Sequence, residues 1–381
     1  MNTARTMSLS DVCYINMGQS PSSSSYNNVR IGIPFFQGNA DFGEIHPKVR
    51  YWCNQPIKKA KANDILISVR APIGDINIAN EECCIGRGLA ALTIKENIGT
   101  YKYLFYALKN KVNALISIGK GSTFKAVNKN DLEDICIIVP SKKEQIHIVI
   151  VLDMINKLIF SQKNQINHLN LLVKSRFIEM FGDPINNPMG WNKATLSNAC
   201  LKITDGTHFS PPSSIEGRYK YITAKNIKLN GFDFSNLTYI SDSEHREIYN
   251  RCNPEYGDVL YIKDGATTGI ALLNTLKEEF SLLSSIALLK PNCKILSSYY
   301  LCDVLNNQNM YSKIRSTMGG AAITRLTIVK IKNILIPIPP IDLQNQFAEF
   351  VQQVDKSKFV MQKGLEKLEI TYKALMQQYF G

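Results

Sequence analysis

The feature of this 381-residue sequence that most constrains its fold is an internal repeat. At an offset of 199 residues, positions 121–182 align without a gap with positions 320–381. Upstream the likeness continues with small gaps, since 63–67 (NDILI) resembles 257–261 (GDVLY). Matched positions include Gly121/Gly320, Ile135/Ile334, Pro140/Pro339 and Phe181/Phe380. The repeat predicts two copies of one folding unit.

Each copy ends in a long helical pattern. Apolar residues recur at heptad spacing through residues 142–182 and again through 341–381, and neither segment contains proline. Two matched helices of about 55 Å are therefore predicted, at 1.5 Å per residue. The residues predicted to pack this helix pair are Ile148, Leu152, Ile155, Ile159, Ile166, Leu169, Val173, Phe347, Val351, Val354, Met361, Leu365, Leu368, Tyr372 and Leu375.

The two large segments, residues 1–141 and 183–340, are predicted to be mixed α/β heads. They contain short β-rich runs separated by Gly, Pro, Ser and Asn turns, with helical stretches between them. If the second helix packs on the first it runs antiparallel, which separates the heads and relates them by a pseudo-two-fold axis. The predicted fold class is thus α+β. The other interpretation of the heptads is an ordinary helical hairpin inside one enzyme.

The charge is divided between the heads. The net charge of +12 separates into +5 for residues 1–141, +3 for 142–182, +4 for 183–340 and 0 for 341–381. A basic excess favours a polyanionic partner. Because a helical turn of DNA spans about 34–36 Å, heads spaced by such helices would touch two short sites on one duplex.

Several polar loops in both heads carry side chains of the types that read DNA. Lys and Arg suit guanine and phosphate, Asn and Gln suit adenine, and Ser and Thr suit either. A loop of this kind is otherwise a solvated turn. The candidate DNA-contacting residues are Gln19, Ser20, Gln37, Asn39, Arg70, Arg87, Lys120, Thr123, Lys125, Thr207, His208, Lys225, Asn226, Lys228, Lys263, Thr267, Thr268, Thr324 and Arg325.

Motifs for catalysis are missing from the sequence. It has no G-x-x-x-x-G-K-[ST] phosphate loop, no Asn/Asp-Pro-Pro-aromatic tetrapeptide of an amino-methyltransferase and no zinc-ligand spacing among its nine cysteines. The cysteines are interpreted as free core thiols. No signal peptide or membrane-spanning run is found, so a cytoplasmic protein with no membrane partner is expected.

Four signatures together resemble the specificity subunit of type I restriction-modification systems. They are ITDGTH (203–208), YITAKNIK (221–228), IPIPP (336–340) before the second long helix, and FGDP (181–184) opening the second half. The resemblance covers essentially the whole chain. One departure is PSKKEQ (140–145), which lacks the Pro-Pro-Leu usual before Glu-Gln, so the start of the first helix is expected to differ locally.

The resemblance implies a non-catalytic subunit with two target-recognition domains that read a bipartite, asymmetric site on double-stranded DNA. It implies that this chain binds no cofactor or metal. Two methyltransferase subunits would use S-adenosylmethionine, and two optional restriction or translocation subunits would use ATP and Mg. The helices would set the spacing and dock the methyltransferases. The alternatives are an orphan DNA-binding or architectural protein and, less favoured, a self-contained methyltransferase.

Overall fold

The computed structural model describes residues 4–119, 126–318 and 325–381. Two compact units make up the chain: unit 1 comprises Met1–Lys163 with Lys363–Gly381, and unit 2 comprises Asn164–Gln362. The unit boundaries fall inside the two long helices, whereas the domain boundaries predicted from the sequence fall at the helix ends. Each compact unit therefore contains a head together with parts of both helices.

Unit 1 is built on a four-stranded antiparallel sheet of order β2-β10-β7-β8, a five-stranded sheet of order β3-β5-β4-β9-β6 and the pair β1-β11. The two central strands of the four-stranded sheet, β7 and β10, are almost continuously apolar, since helices pack on one face and the five-stranded sheet packs on the other. The strands are β1 (Arg5–Ser8), β2 (Cys13–Met17), β3 (Tyr26–Asn27), β4 (Ile33–Phe36), β5 (Tyr51–Cys53), β6 (Lys59–Ala60), β7 (Ile65–Ser68), β8 (Ile76–Ile78), β9 (Cys83–Ile85), β10 (Leu89–Ile94) and β11 (Cys136–Val139). The helices are α1 (Leu9–Val12), α2 (Tyr101–Asn110), α3 (Val112–Ile118), α4 (Lys129–Glu133) and α5 (Lys142–Phe181), which continues into unit 2.

Unit 2 repeats this plan with a four-stranded sheet of order β13-β21-β18-β19, the sheet β17-β14-β20 and the pairs β12-β22 and β15-β16. The strands are β12 (Lys193–Thr195), β13 (Cys200–Asp205), β14 (Tyr219–Ile222), β15 (Ile227–Lys228), β16 (Gly231–Phe232), β17 (Thr238–Ile240), β18 (Val259–Ile262), β19 (Ala271–Leu273), β20 (Phe280–Leu282), β21 (Ile286–Pro291) and β22 (Leu335–Pro337). The helices are α6 (Leu196–Ala199), α7 (Asp242–Arg251), α8 (Ser298–Asn306), α9 (Gln308–Ser316), α10 (Ile328–Lys332) and α11 (Ile341–Phe380), which continues into unit 1.

The internal repeat is confirmed by strand pairing. In each unit the first strand pairs with the last strand before the long helix, and the four-stranded sheets have the same order. Each unit also contains one parallel pair, β4-β9 in unit 1 and β14-β20 in unit 2. The shared order and direction identify the two heads as copies of one α+β fold, as predicted.

The two long helices are also confirmed, each with 40 residues. At 1.5 Å per residue each is about 60 Å long. In unit 1, Lys163 Nζ lies 2.9 Å from Glu369 Oε1, and Met376 and Phe380 complete the head's core. In unit 2, the rings of Phe177 and Phe347 are 5.7 Å apart. Within each unit an early segment of one helix meets a late segment of the other, so the helices run antiparallel. All fifteen predicted packing residues are buried or half-buried.

The start of the first helix differs locally from that of the second, as its sequence predicts. The Glu144 N–H donates to the Ser141 hydroxyl at 3.3 Å, and the second helix has Pro340 at the position of Ser141. Gln145 is fully buried and donates to the carbonyl oxygens of Ile98 (2.9 Å) and Pro140 (3.0 Å). Gln344 donates in the same way to Ile295 (3.0 Å) and Pro339 (2.8 Å). The two buried glutamines thus make equivalent hydrogen bonds, although the Pro-Pro-Leu usual before Glu-Gln is absent from the first helix start.

All nine cysteines are free, and the prediction that they lie in the core is correct for six of them. Cys136 and Cys293 are exposed, and Cys200 is half-buried. None of the helices in the described parts of the chain is long and apolar enough to cross a membrane.

Candidate nucleic-acid interface

Three loops of unit 1 meet at one edge of its sheets. The Ser20 hydroxyl accepts hydrogen bonds from Gln37 Nε2 at 2.8 Å and from the Arg87 backbone N–H at 3.2 Å. The Gln19 N–H donates to the Ile85 carbonyl at 3.1 Å. Four of the predicted DNA-contacting residues are thereby brought together. Gln19, Gln37 and Arg87 are exposed there, and Ser20 is half-buried.

This meeting of loops depends on close backbone approach. A Cβ at Gly18 would lie 2.2 Å from the Gly86 carbonyl oxygen. Since the obstacle is backbone rather than a flexible side chain, position 18 admits only glycine without movement of the loop. The equivalent in unit 2 is Gly206, whose Cβ would lie 1.9 Å from the Leu282 carbonyl oxygen.

Arg70 and Asn39 lie at the margin of the unit 1 loops. Asn39 is half-buried and donates to Asp75 Oδ2 at 3.1 Å. Arg70 is exposed and forms an isolated antiparallel bridge with Ala126. The predicted contacts Lys120, Thr123 and Lys125 precede this bridge and lie outside the described residues.

The loops of unit 2 are held by the same backbone hydrogen bonds as the loops of unit 1. We call this shared set of backbone bonds the loop frame. The Thr207 N–H donates to the Leu282 carbonyl at 2.8 Å, as Gln19 does to Ile85. An isolated antiparallel bridge joins Asp264 to Arg325, the counterpart of the Arg70–Ala126 bridge. Position by position, the frame is thus shared between the units while the side chains on it differ. Thr324 lies outside the described residues.

A cluster of charged side chains occupies the centre of the unit 2 loops, and we call it the Asp205 cluster. Lys263 Nζ lies 3.4 Å from Asp205 Oδ2 and 3.0 Å from Asp264 Oδ2, and Arg325 Nε lies 3.1 Å from Asp264 Oδ1. His208 Nε2 lies 3.3 Å from Asp205. The cluster brings together the predicted residues Lys263, Arg325 and His208, and Thr207 precedes His208 in the chain.

Arg251 is a member of this cluster that the sequence did not reveal. It is in the last turn of α7 and donates to the carbonyl oxygens of Asp205, at 3.0 Å, and of Gly206. The two aspartates were also missed as anchors, although Asp205 is part of a motif that marked the loop. No periodicity or spacing connects residue 251 to residue 205, so only the fold exposes this contact.

Two further unit 2 loops flank the cluster. In the first, Asn226 is buried and accepts from the Thr223 N–H at 3.0 Å, while Lys225 and Lys228 are exposed. Lys228 Nζ lies 3.6 Å from Asp233, whose pKa is lowered by hydrogen bonds from Ser235 and by Lys228.

In the second flanking loop, the buried Thr268 hydroxyl donates to the Gly265 carbonyl at 2.6 Å. Arg315 Nη1 donates to the Thr268 carbonyl at 2.9 Å, which ties this loop to α9. Thr267 is half-buried beside it. Neither the sequence pattern nor the loop composition predicted Arg315.

Burial corrects part of the predicted contact set. The side chains that the structure buries have no surface to offer DNA, because their polar atoms are used inside the loops. These residues are Thr207, Asn226, Lys263 and Thr268. They shape the loops instead. The predicted residues that remain exposed on the described loops are Gln19, Gln37, Arg70, Arg87, His208, Lys225, Lys228 and Arg325.

The described residues form no cluster of metal-ligating side chains. Across residues 4–119, 126–318 and 325–381, no group of three His, Cys, Asp or Glu side chains is placed to hold one. The fold and the loops therefore define a duplicated α+β protein with two polar loop surfaces on a common frame.

The chain belongs to the family whose model is described as the type I restriction modification DNA specificity domain. The model matches residues 1–171 and 190–370, once for each copy of the repeat. The proteins of this family are DNA-recognition subunits and not catalytic ones. The motifs that suggested this resemblance lie within or next to the two matched regions.

Similar proteins carry related names. A putative type I restriction enzyme MjaX specificity subunit of Methanocaldococcus jannaschii is 48% identical over 132 residues, which cover 34% of this chain and 31% of that protein. The MjaIX specificity subunit of the same organism is 25% identical over 336 residues, 82% of this chain and 75% of that protein. The match to the first relative thus spans less than a third of its length.

A solved structure supports the fold. The crystal structure of a type I restriction-modification system S subunit from M. genitalium covers 100% of this chain and 96% of its own, with a TM-score of 0.62 and 16% sequence identity. At that identity the likeness concerns the fold alone.

Proposed function

We propose that this chain is the sequence-specific DNA-recognition subunit of a type I restriction-modification complex, in which each head reads one half of a bipartite, asymmetric site. The observation that carries the proposal is one backbone frame with two sets of side chains. At equivalent positions unit 1 exposes Gln19 and half-buries Ser20, whereas unit 2 buries Thr207 and exposes His208. Because base readout depends on side-chain chemistry, the same frame with different groups reads different bases.

In this proposal the two long helices set the spacing of the half-sites. Each has 40 residues and passes from one unit into the other. A length of about 60 Å corresponds to somewhat less than two turns of duplex DNA. The helices would thus leave an unread stretch between two contacted sequences.

The methyltransferase subunits of the proposed complex dock in part on an apolar stripe of α5. Ile146, Ile150, Met154 and Leu158 are all exposed and recur at every fourth residue, so they form one row along the helix. Exposed contiguous apolar surface of this kind typically marks a protein interface. The equivalent row on α11 is polar and consists of Asn345, Glu349, Gln353 and Ser357. The two docked subunits therefore meet non-identical helix faces.

The proposal assigns the chemistry to partners. Two methyltransferase subunits supply S-adenosylmethionine, and restriction or translocation subunits, when present, supply ATP hydrolysis with Mg. Adenine methylation requires the target base to leave the duplex, and this chain would only position the DNA.

The test combines affinity purification with methylome sequencing of the source strain before and after deletion of the coding sequence. The proposal expects copurification of a DNA methyltransferase and loss of one bipartite methylated adenine motif in the deletion strain. Recovery of DNA without any methyltransferase, together with an unchanged methylome, would instead favour an orphan DNA-binding protein.

A further inference from the structure

Lys263 is the least expected member of the Asp205 cluster because its side chain is only 2% exposed. Burying an ammonium group is costly unless it is paired and hydrogen-bonded. Its partners are the carboxylates of Asp264, at 3.0 Å, and Asp205, at 3.4 Å. The lysine is thus a fixed internal cation beneath the loop surface.

The loop frame does not need this cation. In unit 1 the Val127 N–H donates to the Val69 carbonyl and the Val69 N–H to the Gly88 carbonyl, both at 2.9 Å. In unit 2 the Leu326 N–H and the Lys263 N–H make the same two bonds, to Lys263 and Ser285. Lys263 therefore occupies the position of Val69.

Asp205 likewise occupies an apolar position of unit 1. Met17 pairs with Ala90 across the four-stranded sheet of unit 1, and Asp205 pairs with Ala287 across that of unit 2. Since the same frame forms around a valine and a methionine, the buried ions of unit 2 serve something other than the frame.

The charge balance indicates what they serve. Asp264 is shared by Lys263 on its buried side and by Arg325 on its outer side, and the Arg325 side chain is 60% exposed. The cluster holds three permanent cations, Lys263, Arg251 and Arg325, against the two carboxylates. Lys263 neutralises Asp264 from the buried side. Arg325 is therefore able to exchange Asp264 for another anion without leaving the Asp264 carboxylate unpaired.

We propose that Lys263 is a positioning residue that allows Arg325 to bind a DNA phosphate, and that this arrangement is specific to the second head. The proposal rests on the DNA-recognition function proposed above. Without the lysine, Arg325 would be the sole strong partner of Asp264. The arginine would then no longer be available to bind DNA. Unit 1 places Arg70 at the same bridge opposite an alanine, so its arginine needs no release.

The test is a double-mutant cycle on the full chain with a fluorescently labelled random-sequence duplex, titrated from about 50 to 200 mM salt. Arg325→Gln and Lys263→Met should each lower the slope of log affinity against log salt by about 0.9, one phosphate contact. The double variant should lose no more than Arg325→Gln alone. Lys263→Met with Asp264→Asn should recover the wild-type slope, because the neutral amide no longer holds Arg325 by charge.

The matched control is Lys290→Met, which removes a lysine paired with Asp258 (2.8 Å) and Glu255 (3.0 Å) away from these loops and should leave the slope unchanged. Additive losses for Lys263→Met and Arg325→Gln would overturn the inference, as would a failure of Asp264→Asn to restore binding. If Lys263→Met does not fold, Asp264→Asn alone decides: a wild-type slope supports the inference, and a slope equal to that of Arg325→Gln overturns it. A wild-type chain that binds no duplex overturns the proposed function as well.

Discussion

Arg325 Nε lies 3.1 Å from Asp264 Oδ1, at the isolated bridge where unit 1 instead has Ala126 opposite Arg70. Each unit thus carries one arginine at this point, but on opposite strands of the bridge. These two bridges show that the backbone is repeated between the units and that the polar side chains are not.

Lys225→Ala is expected to weaken DNA binding, and the loss should shrink as salt rises. Lys225 is exposed on the loop beside the Asp205 cluster, and a lysine that contacts phosphate releases counterions on binding. The measurement is duplex affinity across a salt titration. Lys294→Ala is the control. Lys294 is exposed and follows the end of β21 that is farther from the Asp205 cluster. Equal losses for both variants would remove Lys225 from the interface.

Gly206→Ala should lower the free energy of unfolding by about 1–3 kcal/mol, the range for forced overpacking. The new Cβ would lie 1.9 Å from the Leu282 carbonyl oxygen, so the loop must move away from β20. Gly38→Ala is the matched control, because no atom lies within 4 Å of its ideal Cβ. Urea titration of both variants gives the comparison, and equal stability would show that the loops do not approach this closely.

The raised pKa of Asp303 predicts a pH dependence of the free energy of unfolding. Burial, with Asp355 nearby, raises its pKa from 3.8 to about 7, against the opposing effect of Lys358 and Lys174. The folded-state pKa therefore exceeds the unfolded one, so Asp303 costs no stability below about pH 4 and costs progressively more as the pH rises toward 7.

Asp303→Asn removes this cost and should stabilise the chain near pH 8 by about 1–2 kcal/mol, with little effect near pH 4. Thermal unfolding at both pH values measures the difference. Glu349→Gln, an exposed change in the same unit, is the control. Destabilisation by Asp303→Asn at the higher pH would show that the carboxylate is needed as an anion.

Met154→Glu should remove one of the two docked methyltransferase subunits, so that about half as much methyltransferase copurifies, while the stability of the chain stays within about 0.5 kcal/mol. The side chain is exposed in the middle of the apolar stripe, so a charge there disturbs only an interface. Gln353→Glu places the same charge at the equivalent position of α11. If the Met154 variant copurifies with as much methyltransferase as the unchanged chain, docking does not use the apolar stripe.

The long helices and the duplication were predictable because both are periodic signals. The heptads of 142–182 and 341–381 mark helices of nearly the observed length, and the offset of 199 residues marks the repeat. Loop polarity, by contrast, does not report burial. Lys263 and Lys225 both lie in polar loops, yet the side chain of Lys263 is buried and that of Lys225 is exposed.

The anchors of the candidate interface depended on tertiary contact. Arg251 reaches Asp205 across 46 residues of sequence, and no local pattern predicts such a pairing. The buried role of Gln145 was likewise hidden, because the residues before it depart from the usual motif while its own hydrogen bonds do not.

The most direct test of the account exchanges residues 1–141 for the equivalent region of another family member and sequences the methylome of cells that carry the chimaera. If each head reads its own half-site, one half of the methylated motif changes while the other half and the spacer length stay as they were. A change in both halves, or in neither, would contradict the assignment of one half-site to each head.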